Sequence, residues 1–323
     1  MISLKLNGID VPLIATRFSD GALNIKLGEG RRPIDVAKAT IDVRLGKDIQ
    51  LNDIIIVVAQ VTDIVRSLNN RVFVELILPY IPYARQDRRM VKGDAFDLKL
   101  FARFLNMLNI DRIIAFDVHS DVCGMIDNLI NMHQSQILNT APISHDLAQG
   151  YTLVSPDAGA EKKIHDVAKK MKPRHVVTMS KERNVETGAI SAIRLNNTTG
   201  VEGSRCLIVD DLCDAGGTFI GAAQELLSHG AASVDLWVTH GLFSKGTEHL
   251  TENGISRIYT TDSCYYGDVS AQVSVYKCFG ILAMYGRGHW WAASSEWKRC
   301  VVDAMMVIQT KTSASVVVVA WIW

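Results

Sequence analysis

Short continuous runs of hydrophobic residues, rich in valine and isoleucine, recur along most of the chain and are separated by stretches of mixed polarity. Such runs are typical of strands buried on both faces, and therefore of a parallel sheet covered by helices. The N-terminus has a different period, because Ile2, Leu4 and Leu6 alternate with polar neighbours as in a half-buried strand. The continuous runs predict strands at residues 54–61, 72–78, 113–116, 152–154, 176–179, 206–209 and 234–238.

Three segments between these runs have the period of amphipathic helices. The first is expected to begin at Asp94, whose carboxylate can cap the first turn, with Asp97 three residues on. A second helix is expected over about residues 160–171, and a third over residues 218–228, closed by Gly230. The buried stripe of the first helix is predicted to contain Phe101, Phe104, Leu105 and Leu108.

Strand and helix patterns alternate through two successive rounds, which predicts an α/β fold with two domains, each a mostly parallel sheet flanked by helices. The boundary between the two rounds is placed between Leu138 and Gly150, where proline, serine and glycine interrupt the pattern. The end of the chain is different, because five of the six tryptophans fall in the last sixty residues and glycine and serine interrupt every period. We therefore predict domains at residues 1–140 and 141–265, followed by an atypical tail at residues 266–323.

Composition limits the classes of function. The chain has 34 basic and 34 acidic side chains, so no net field draws it to nucleic acid or to an anionic membrane surface. Its six cysteines lack the spacing of a zinc site or a disulfide framework, which indicates a reducing compartment. The N-terminus has no signal-peptide pattern, and the most apolar stretch, Val316–Trp323, is far shorter than the ~20 residues that cross a bilayer. A cytoplasmic protein with a small-molecule role is expected.

The strongest chemical signal lies at residues 206–218, where an apolar strand is followed by two acids, a Gly-rich turn and the start of a helix. The turn, which ends at Thr218, allows backbone N–H groups to converge on a phosphomonoester at the N-terminus of the helix. Asp210 and Asp211 would repel a phosphate, but they suit vicinal ribose hydroxyls. The alternative is a structural strand with an acidic end and no ligand.

Other candidate side chains follow predicted strands. The loop at residues 79–89 concentrates guanidinium, amide and aromatic groups that can neutralise a triphosphate and stack on a base. His119 follows the strand that ends at Phe116, and Asp157 lies in a strand-to-helix turn where its carboxylate suits a hard cation. Residues 179–184 leave a strand with two cations that can fold over a reacting phosphoryl group. Each has a plainer alternative, namely a solvated charged loop or a structural side chain.

Together these segments resemble the ribose-phosphate diphosphokinases over about residues 1–262, with five motifs in the family order. Residues 79–89 contain the Pro-Tyr-Ala-Arg-Gln-Asp signature, and residues 206–218 resemble the phosphoribosyl-binding motif that this family shares with the phosphoribosyltransferases. The resemblance implies two tandem phosphoribosyltransferase-like domains. It also implies transfer of the β,γ-diphosphate of Mg²⁺-bound ATP to the 1-hydroxyl of ribose 5-phosphate.

The resemblance further implies roles for individual residues. Lys181 and Arg183 would be the catalytic residues, and His119 and Asp157 would hold the Mg²⁺. ATP would contact Phe18, Asp20, Arg85, Gln86, Asp87 and His119. Ribose 5-phosphate would contact Asp210, Asp211, Asp214, Ala215, Gly216, Gly217 and Thr218, and the transferred diphosphate would lie near Asp157, Ala158 and Gly159.

Three positions depart from the family pattern. Residues 17–22 resemble the adenine-contacting loop that a neighbouring subunit contributes in the family, but Ala22 stands where a glutamate is usual. Ala160 stands where a second glycine is common. The tail after Asp262 does not follow the family's closing strand and helix. The family implies a homo-oligomer, a dimer-based hexamer. Two alternatives stay open: a phosphoribosyltransferase that consumes the diphosphate product, and a non-catalytic regulatory homologue.

Overall fold

The computed structural model describes residues 1–30, 33–46, 48–141, 150–183 and 190–289. In this part of the chain the strands form a six-stranded sheet, a seven-stranded sheet and a separate two-stranded hairpin. Both large sheets are mostly parallel, which confirms the predicted α/β fold class. None of the helices in the described ranges is both long enough and apolar enough to cross a membrane.

The first half of the chain folds into the six-stranded sheet. Its elements are β1 (Ile2–Leu6), β2 (Ile9–Val11), β3 (Leu13–Arg17), β4 (Leu23–Leu27), β5 (Lys38–Val43), α1 (Ile54–Leu68), β6 (Phe73–Ile77), α2 (Asp97–Met107), β7 (Arg112–Phe116), β8 (Leu129–Met132) and α3 (Gln134–Thr140). The strand order is β2-β1-β5-β6-β7-β8, with parallel pairing from β5 to β8. β1 pairs antiparallel with β2 and β5 and buries Leu4 and Leu6, as the alternating pattern predicts. β3 and β4 form the hairpin.

The second half folds into the seven-stranded sheet. Its elements are β9 (Tyr151–Ser155), α4 (Glu161–Met171), β10 (His175–Arg183), β11 (Ile190–Leu195), β12 (Arg205–Cys213), α5 (Gly217–Ser228), β13 (Ser233–Gly241), α6 (Glu248–Thr251), β14 (Arg257–Thr261), β15 (Val273–Tyr276) and α7 (Cys278–His289). The strand order is β11-β10-β9-β12-β13-β14-β15, and β10 with β11 is the antiparallel pair. The two helices predicted here are confirmed as α4 and α5, and Gly230 follows α5 with a φ of 82°.

The predicted strand at residues 54–61 is wrong, because this run is the start of helix α1. A short apolar run fits a buried strand and a buried helix equally well. What decides here is the polar spacing further on, at Gln60, Asp63 and Arg66, which follows the helical period. The strand that pairs between β1 and β6 is instead β5, whose buried and half-buried positions alternate.

The expected start and stripe of helix α2 are also corrected. The Asp94 carboxylate accepts hydrogen bonds from the backbone N–H groups of Met90 and Val91, so it closes a preceding turn and the helix begins at Asp97. Phe104 is 56% exposed, because it lies on the outer face of the helix. The buried stripe consists of Leu98, Phe101, Ala102 and Leu105.

The chain after Asp262 is more regular than its sequence pattern predicts. β15 pairs in parallel with β14 at the edge of the second sheet, and α7 follows it directly. An Asp262 carboxylate oxygen accepts a hydrogen bond from the backbone N–H of Cys278 at 2.7 Å and so joins the end of β14 to the start of α7. A four-residue strand is too short to leave a clear periodic signal, which is why the pattern missed it.

One hydrophobic cluster is shared by the two halves of the chain. It contains Phe116 from β7 and Leu138 from α3, together with Tyr151, Trp237 and Cys278 from the second half. All five residues are at most 1% exposed. Two further clusters lie within the first and the second half. The two sheets therefore pack against each other through a continuous core.

Candidate active site

The carboxyl ends of strands from both sheets face each other at the junction of the two halves. The ring Nε2 of His240, at the end of β13, lies 2.9 Å from the carbonyl oxygen of Phe116, and since a carbonyl only accepts, Nε2 is the donor. Burial lowers the pKa of His240, in keeping with a neutral ring. Thr239 donates its hydroxyl to Asp117, the residue after β7, at 2.8 Å. Ligands of open α/β sheets bind at such strand ends.

The glycine-rich turn between β12 and α5 has the backbone shape that an anion site requires. Gly216 has a φ of 84°, in the left-handed region, and a Cβ at this position would lie 2.5 Å from Leu250 Cδ2. Any other residue would therefore be strained and crowded at this point. Helix α5 begins at Gly217, and its first backbone hydrogen bonds run from the N–H groups of Phe219 and Ile220 to the Gly216 carbonyl oxygen. The N–H groups of Gly217 and Thr218 precede these bonds, and N–H groups at this position of a helix can bind a phosphate group.

Side chains from strand β10 and from the loop after β6 reach this turn. Lys181 donates from Nζ to the hydroxyl oxygen of Thr218 at 2.8 Å. Arg85 lies 3.6 Å from the carboxylate of Asp214, and both side chains are about half exposed. The structure thus brings together the predicted nucleotide loop, the predicted catalytic lysine and the predicted phosphate turn. Arg85 follows β6 of the first sheet, whereas Lys181 and the turn belong to the second sheet; they meet because the carboxyl ends of strands from both sheets face each other.

The two acids at the end of β12 have different environments. Burial alone would raise the pKa of Asp211, but hydrogen bonding from His119 at 2.5 Å and the nearby Lys163 hold its pKa well below the usual range. Burial and the adjacent charge of Asp211 raise the pKa of Asp210 well above its usual range. One carboxylate therefore accepts hydrogen bonds, while a protonated neighbour can also donate one. Such a pair is suited to two adjacent hydroxyls.

The loop after β7 is tied to the loop after β6. The hydrogen bond with Asp211 raises the pKa of His119 and outweighs the effect of burial. The next residue, Ser120, donates its hydroxyl to Asp87 at 2.6 Å. Asp87 also accepts two hydrogen bonds from Arg88, which together with Ser120 lower its pKa to about 2. Asp87 is 9% exposed, so it supports the position of His119 from within the protein.

Three residues of this site, Asp117, Lys163 and Gln134, were not predicted from the sequence. Lys163, in the first turn of α4, donates to Asp117 at 3.0 Å and to Asp211 at 3.3 Å. Gln134, at the start of α3, donates from Nε2 to Asp117 at 3.0 Å and to the carbonyl oxygen of Asp210 at 2.6 Å. The position of Asp117 between a predicted strand and His119 was an available signal. Lys163 and Gln134 give no such signal, because their partners are distant in the sequence.

The turn after β9 places Asp157 close enough to Asp210 for its charge to contribute to the raised pKa of Asp210. Asp157 Oδ1 accepts a hydrogen bond from the backbone N–H of Ala160 at 3.1 Å. Ala158 and Gly159 lie in the short 3-10 helix, residues 158–160, that this turn begins.

A magnesium ion fits the donors of this turn. The described residues contain no group of three or more His, Cys, Asp or Glu side chains that could hold a metal. Mg²⁺ requires fewer protein ligands than that, since it keeps several waters and binds substrate phosphates. The carboxylate of Asp157 is the hard oxygen ligand that Mg²⁺ prefers, and the imidazole of His119 is a less usual one.

Three of the predicted nucleotide-binding residues are not part of this arrangement of side chains. Phe18 is 55% exposed at the tip of the β3–β4 hairpin. The Asp20 carboxylate accepts a hydrogen bond from the backbone N–H of Ala22 in the same turn. The side chain of Gln86 is exposed, and its backbone N–H donates to the Tyr83 carbonyl oxygen. The side chain of Arg183 lies outside the described residues.

A strand-end acid pair followed by a glycine turn and a helix, on a parallel sheet, defines an enzyme of the phosphoribosyltransferase fold class. Accordingly, the family model described as the phosphoribosyl transferase domain matches residues 125–263. A ribose-phosphate pyrophosphokinase of Shewanella oneidensis is 31% identical over 254 residues, which cover 77% of this chain and 78% of that protein. The chain belongs to the ribose-phosphate pyrophosphokinase family, another name for the ribose-phosphate diphosphokinases.

A second relative agrees with this assignment, and a solved structure shows the same fold. A ribose-phosphate pyrophosphokinase of Maricaulis maris is 29% identical over 264 residues, which cover 79% of this chain and 81% of that protein. The crystal structure of phosphoribosylpyrophosphate synthetase from Mycobacterium smegmatis has the same fold, with a TM-score of 0.70 and 24% identity over 88% of this chain and 92% of that chain.

Proposed function

We propose that this protein transfers the β,γ-diphosphate of Mg²⁺-bound ATP to the 1-hydroxyl of ribose 5-phosphate and releases AMP and 5-phosphoribosyl 1-diphosphate. One observation carries the proposal: Arg85 and Lys181 both reach the turn at residues 214–218, from opposite sides of the junction. A phosphorylated sugar in that turn would lie beside cations able to neutralise a polyphosphate donor.

On the sugar side, the turn at residues 214–218 would bind the 5-phosphate through backbone N–H groups and the Thr218 hydroxyl. The ribose hydroxyls would then lie over the acid pair at the end of β12. Asp211 would accept a hydrogen bond, and a protonated Asp210 would donate one. This assignment follows from the opposite pKa shifts of the two acids.

On the nucleotide side, Arg85 and Gln86 would contact the ATP, with His119 directed by Asp211 and with Asp87 supporting that loop from within. The Mg²⁺ would be held by Asp157 and His119 together with phosphate oxygens and waters. When bound, it would neutralise charge on the phosphates.

Diphosphoryl transfer requires alignment and charge neutralisation more than covalent help from the protein. Lys181 would serve this role, because its ammonium lies 2.8 Å from the Thr218 hydroxyl oxygen in the phosphate turn. Arg183, two residues on in the same strand, would add a second cation. Residues 157–159 would border the transferred diphosphate.

Two other parts of the proposal concern the whole protein. Phe18 and Asp20 lie on an exposed hairpin, which suits a contact with nucleotide bound to a second subunit. We therefore propose a homo-oligomer built from dimers, as in a hexamer, located in the cytoplasm. Its domains would comprise residues 1–140 and 141–265, followed by an atypical tail at residues 266–323.

The test is an assay of AMP release from ATP, Mg²⁺ and ribose 5-phosphate by the full chain. The expected result is one AMP per 5-phosphoribosyl 1-diphosphate formed. A phosphoribosyltransferase would instead consume 5-phosphoribosyl 1-diphosphate with a base and release no AMP. A regulatory homologue would bind both ligands without turnover, and this outcome would contradict the proposal.

A further inference from the structure

A single ammonium group joins carboxylates that belong to the two halves of the chain. Lys163 Nζ donates to Asp117 Oδ1 at 3.0 Å and to Asp211 Oδ2 at 3.3 Å. Asp117 follows β7 in the first sheet, while Asp211 lies in β12 of the second sheet. The Lys163 side chain is 29% exposed, whereas those of Asp117 and Asp211 are 3% and 8% exposed. The ion pairs therefore lie in the interior of the junction.

The first of these carboxylates is held rigidly. Asp117 has a φ of 39°, in the left-handed region, which a non-glycine residue adopts only when its surroundings require it. Its Oδ2 accepts hydrogen bonds from Gln134 and Thr239, so its Oδ1 is directed at Lys163. The ammonium is thus placed by a carboxylate that cannot easily move.

The second carboxylate is part of the site itself. Asp211 Oδ2 contacts both Lys163 and the Nδ1 of His119. Without the ammonium, the charges of Asp117 and Asp211 would face each other across a poorly solvated space. Two buried carboxylates in such a position repel each other. Their repulsion would alter the position of Asp211 and of the His119 ring bonded to it.

We propose that Lys163 is a positioning residue, whose ammonium sets the separation between Asp117, in the loop that carries His119, and Asp211 on the sugar side, to which His119 is bonded. The inference rests on the proposed function, because the two sides are those of the proposed reaction. Lys163 acts through Asp211 and Asp117 rather than on the reacting atoms. Its contribution therefore depends on positive charge and on two directed hydrogen bonds, which an arginine can also provide.

The first test compares three variants of the full chain in the AMP-release assay. Lys163→Met removes the charge but keeps the length of the side chain, and its turnover is expected to fall roughly a hundredfold, the usual effect of a misalignment of about 1 Å. Lys163→Arg is expected to recover turnover to within about tenfold of the unmodified protein. Lys170→Met, at an exposed lysine on the same helix, should have unchanged turnover.

Turnover of Lys163→Met at the unmodified rate would overturn the proposal. So would a Lys163→Arg variant that is folded and as slow as Lys163→Met. If Lys163→Met does not fold, the double variant Lys163→Met/Asp117→Asn removes one uncompensated charge and should restore folding. The positioning role predicts that this double variant is still slow, and full recovery of turnover would show that the lysine serves stability alone.

A crystal structure of Lys163→Met provides a measurement that does not depend on activity. The Asp117 and Asp211 carboxylates are expected to move apart, with a displaced His119 ring. Unchanged positions of all three side chains would contradict the positioning role. If the unmodified protein released no AMP, the proposed reaction would fail, whereas this structural result would still decide whether Lys163 sets the geometry of the junction.

Discussion

At the scale of single residues, the site depends on contacts between side chains that are distant in the sequence. His119 contacts Asp211, and Lys181 contacts Thr218, although 92 and 37 residues separate the partners. Such contacts make the pKa or the position of one side chain depend on its partner. The pKa of His119 and the placement of the Lys181 ammonium are therefore the two properties that single substitutions test best.

Lys181→Ala should retain nucleotide binding and lose turnover. A preorganised cation that acts mainly on the transition state contributes about 3 to 4 kcal/mol, so the expected loss is roughly a hundred- to thousandfold in kcat. The measurement is kcat from AMP release, with nucleotide affinity from calorimetry. Lys170→Ala is the matched control at an exposed lysine. Near-normal turnover of Lys181→Ala would remove this residue from the mechanism.

The stability of the protein should depend on pH through the contact between His119 and Asp211. The pKa of His119 is raised by Asp211, so its stabilising effect is fully present below the ordinary histidine pKa of about 6.5. The effect is lost as the pH rises through the higher pKa of the folded protein. Asp211→Asn should remove this pH dependence, which urea unfolding between about pH 5 and pH 9 would measure. An identical pH profile for both proteins would exclude the contact.

At the scale of secondary structure elements, the phosphate turn is determined by backbone shape. Gly216→Ala places a side chain at a φ of 84° and within 2.5 Å of Leu250 Cδ2. The backbone conformation alone should cost about 1–2 kcal/mol in free energy of unfolding, and the contact adds to this. Gly217→Ala is the matched control, because a Cβ there meets no atom within 4 Å. Equal stability of both variants in thermal unfolding would contradict this description of the turn.

The sequence predicted the elements that have clear periods and missed those set by tertiary contacts. The strands near residues 113–116 and 206–209 and helix α5 were predictable, because continuous apolar runs and turn residues agree there. Helix α1 was predicted as a strand, since a short apolar run does not distinguish the two structures.

The candidate site was predictable to a similar degree. Asp210, Asp211 and residues 214–218 lie next to one another in a recognisable motif. Lys163 and Gln134 could not be predicted, because only the fold brings them to Asp117. The division at residue 140 and the individual ligand contacts remain predictions.

At the scale of the whole molecule, an ion-pair network joins the two sheets. Its residues are different from those of the candidate site. Arg44, 7% exposed, donates to Asp42 near the end of β5 and to Asp262 after β14. Lys277 Nζ lies 3.6 Å from the same Asp262. The orientation of the two halves therefore depends on this network as well as on the shared core.

Arg44→Met should destabilise the protein by about 3–5 kcal/mol, because it removes the buried cation that pairs with Asp42 and leaves Asp262 with only the half-exposed Lys277. Arg17→Met is the control at an ion pair whose arginine side chain is 40% exposed, and its expected effect is much smaller. Urea unfolding of both variants measures the difference. A loss for Arg44→Met no larger than that for Arg17→Met would mean that the network does not join the halves.

The most direct test of the account is a crystal structure of the full chain with ribose 5-phosphate and a non-hydrolysable ATP analogue with Mg²⁺. The account predicts the 5-phosphate in the turn at residues 214–218, the ribose hydroxyls on Asp210 and Asp211, and the analogue's phosphates beside Arg85 and Lys181. An empty turn, with the sugar phosphate bound elsewhere, would contradict it.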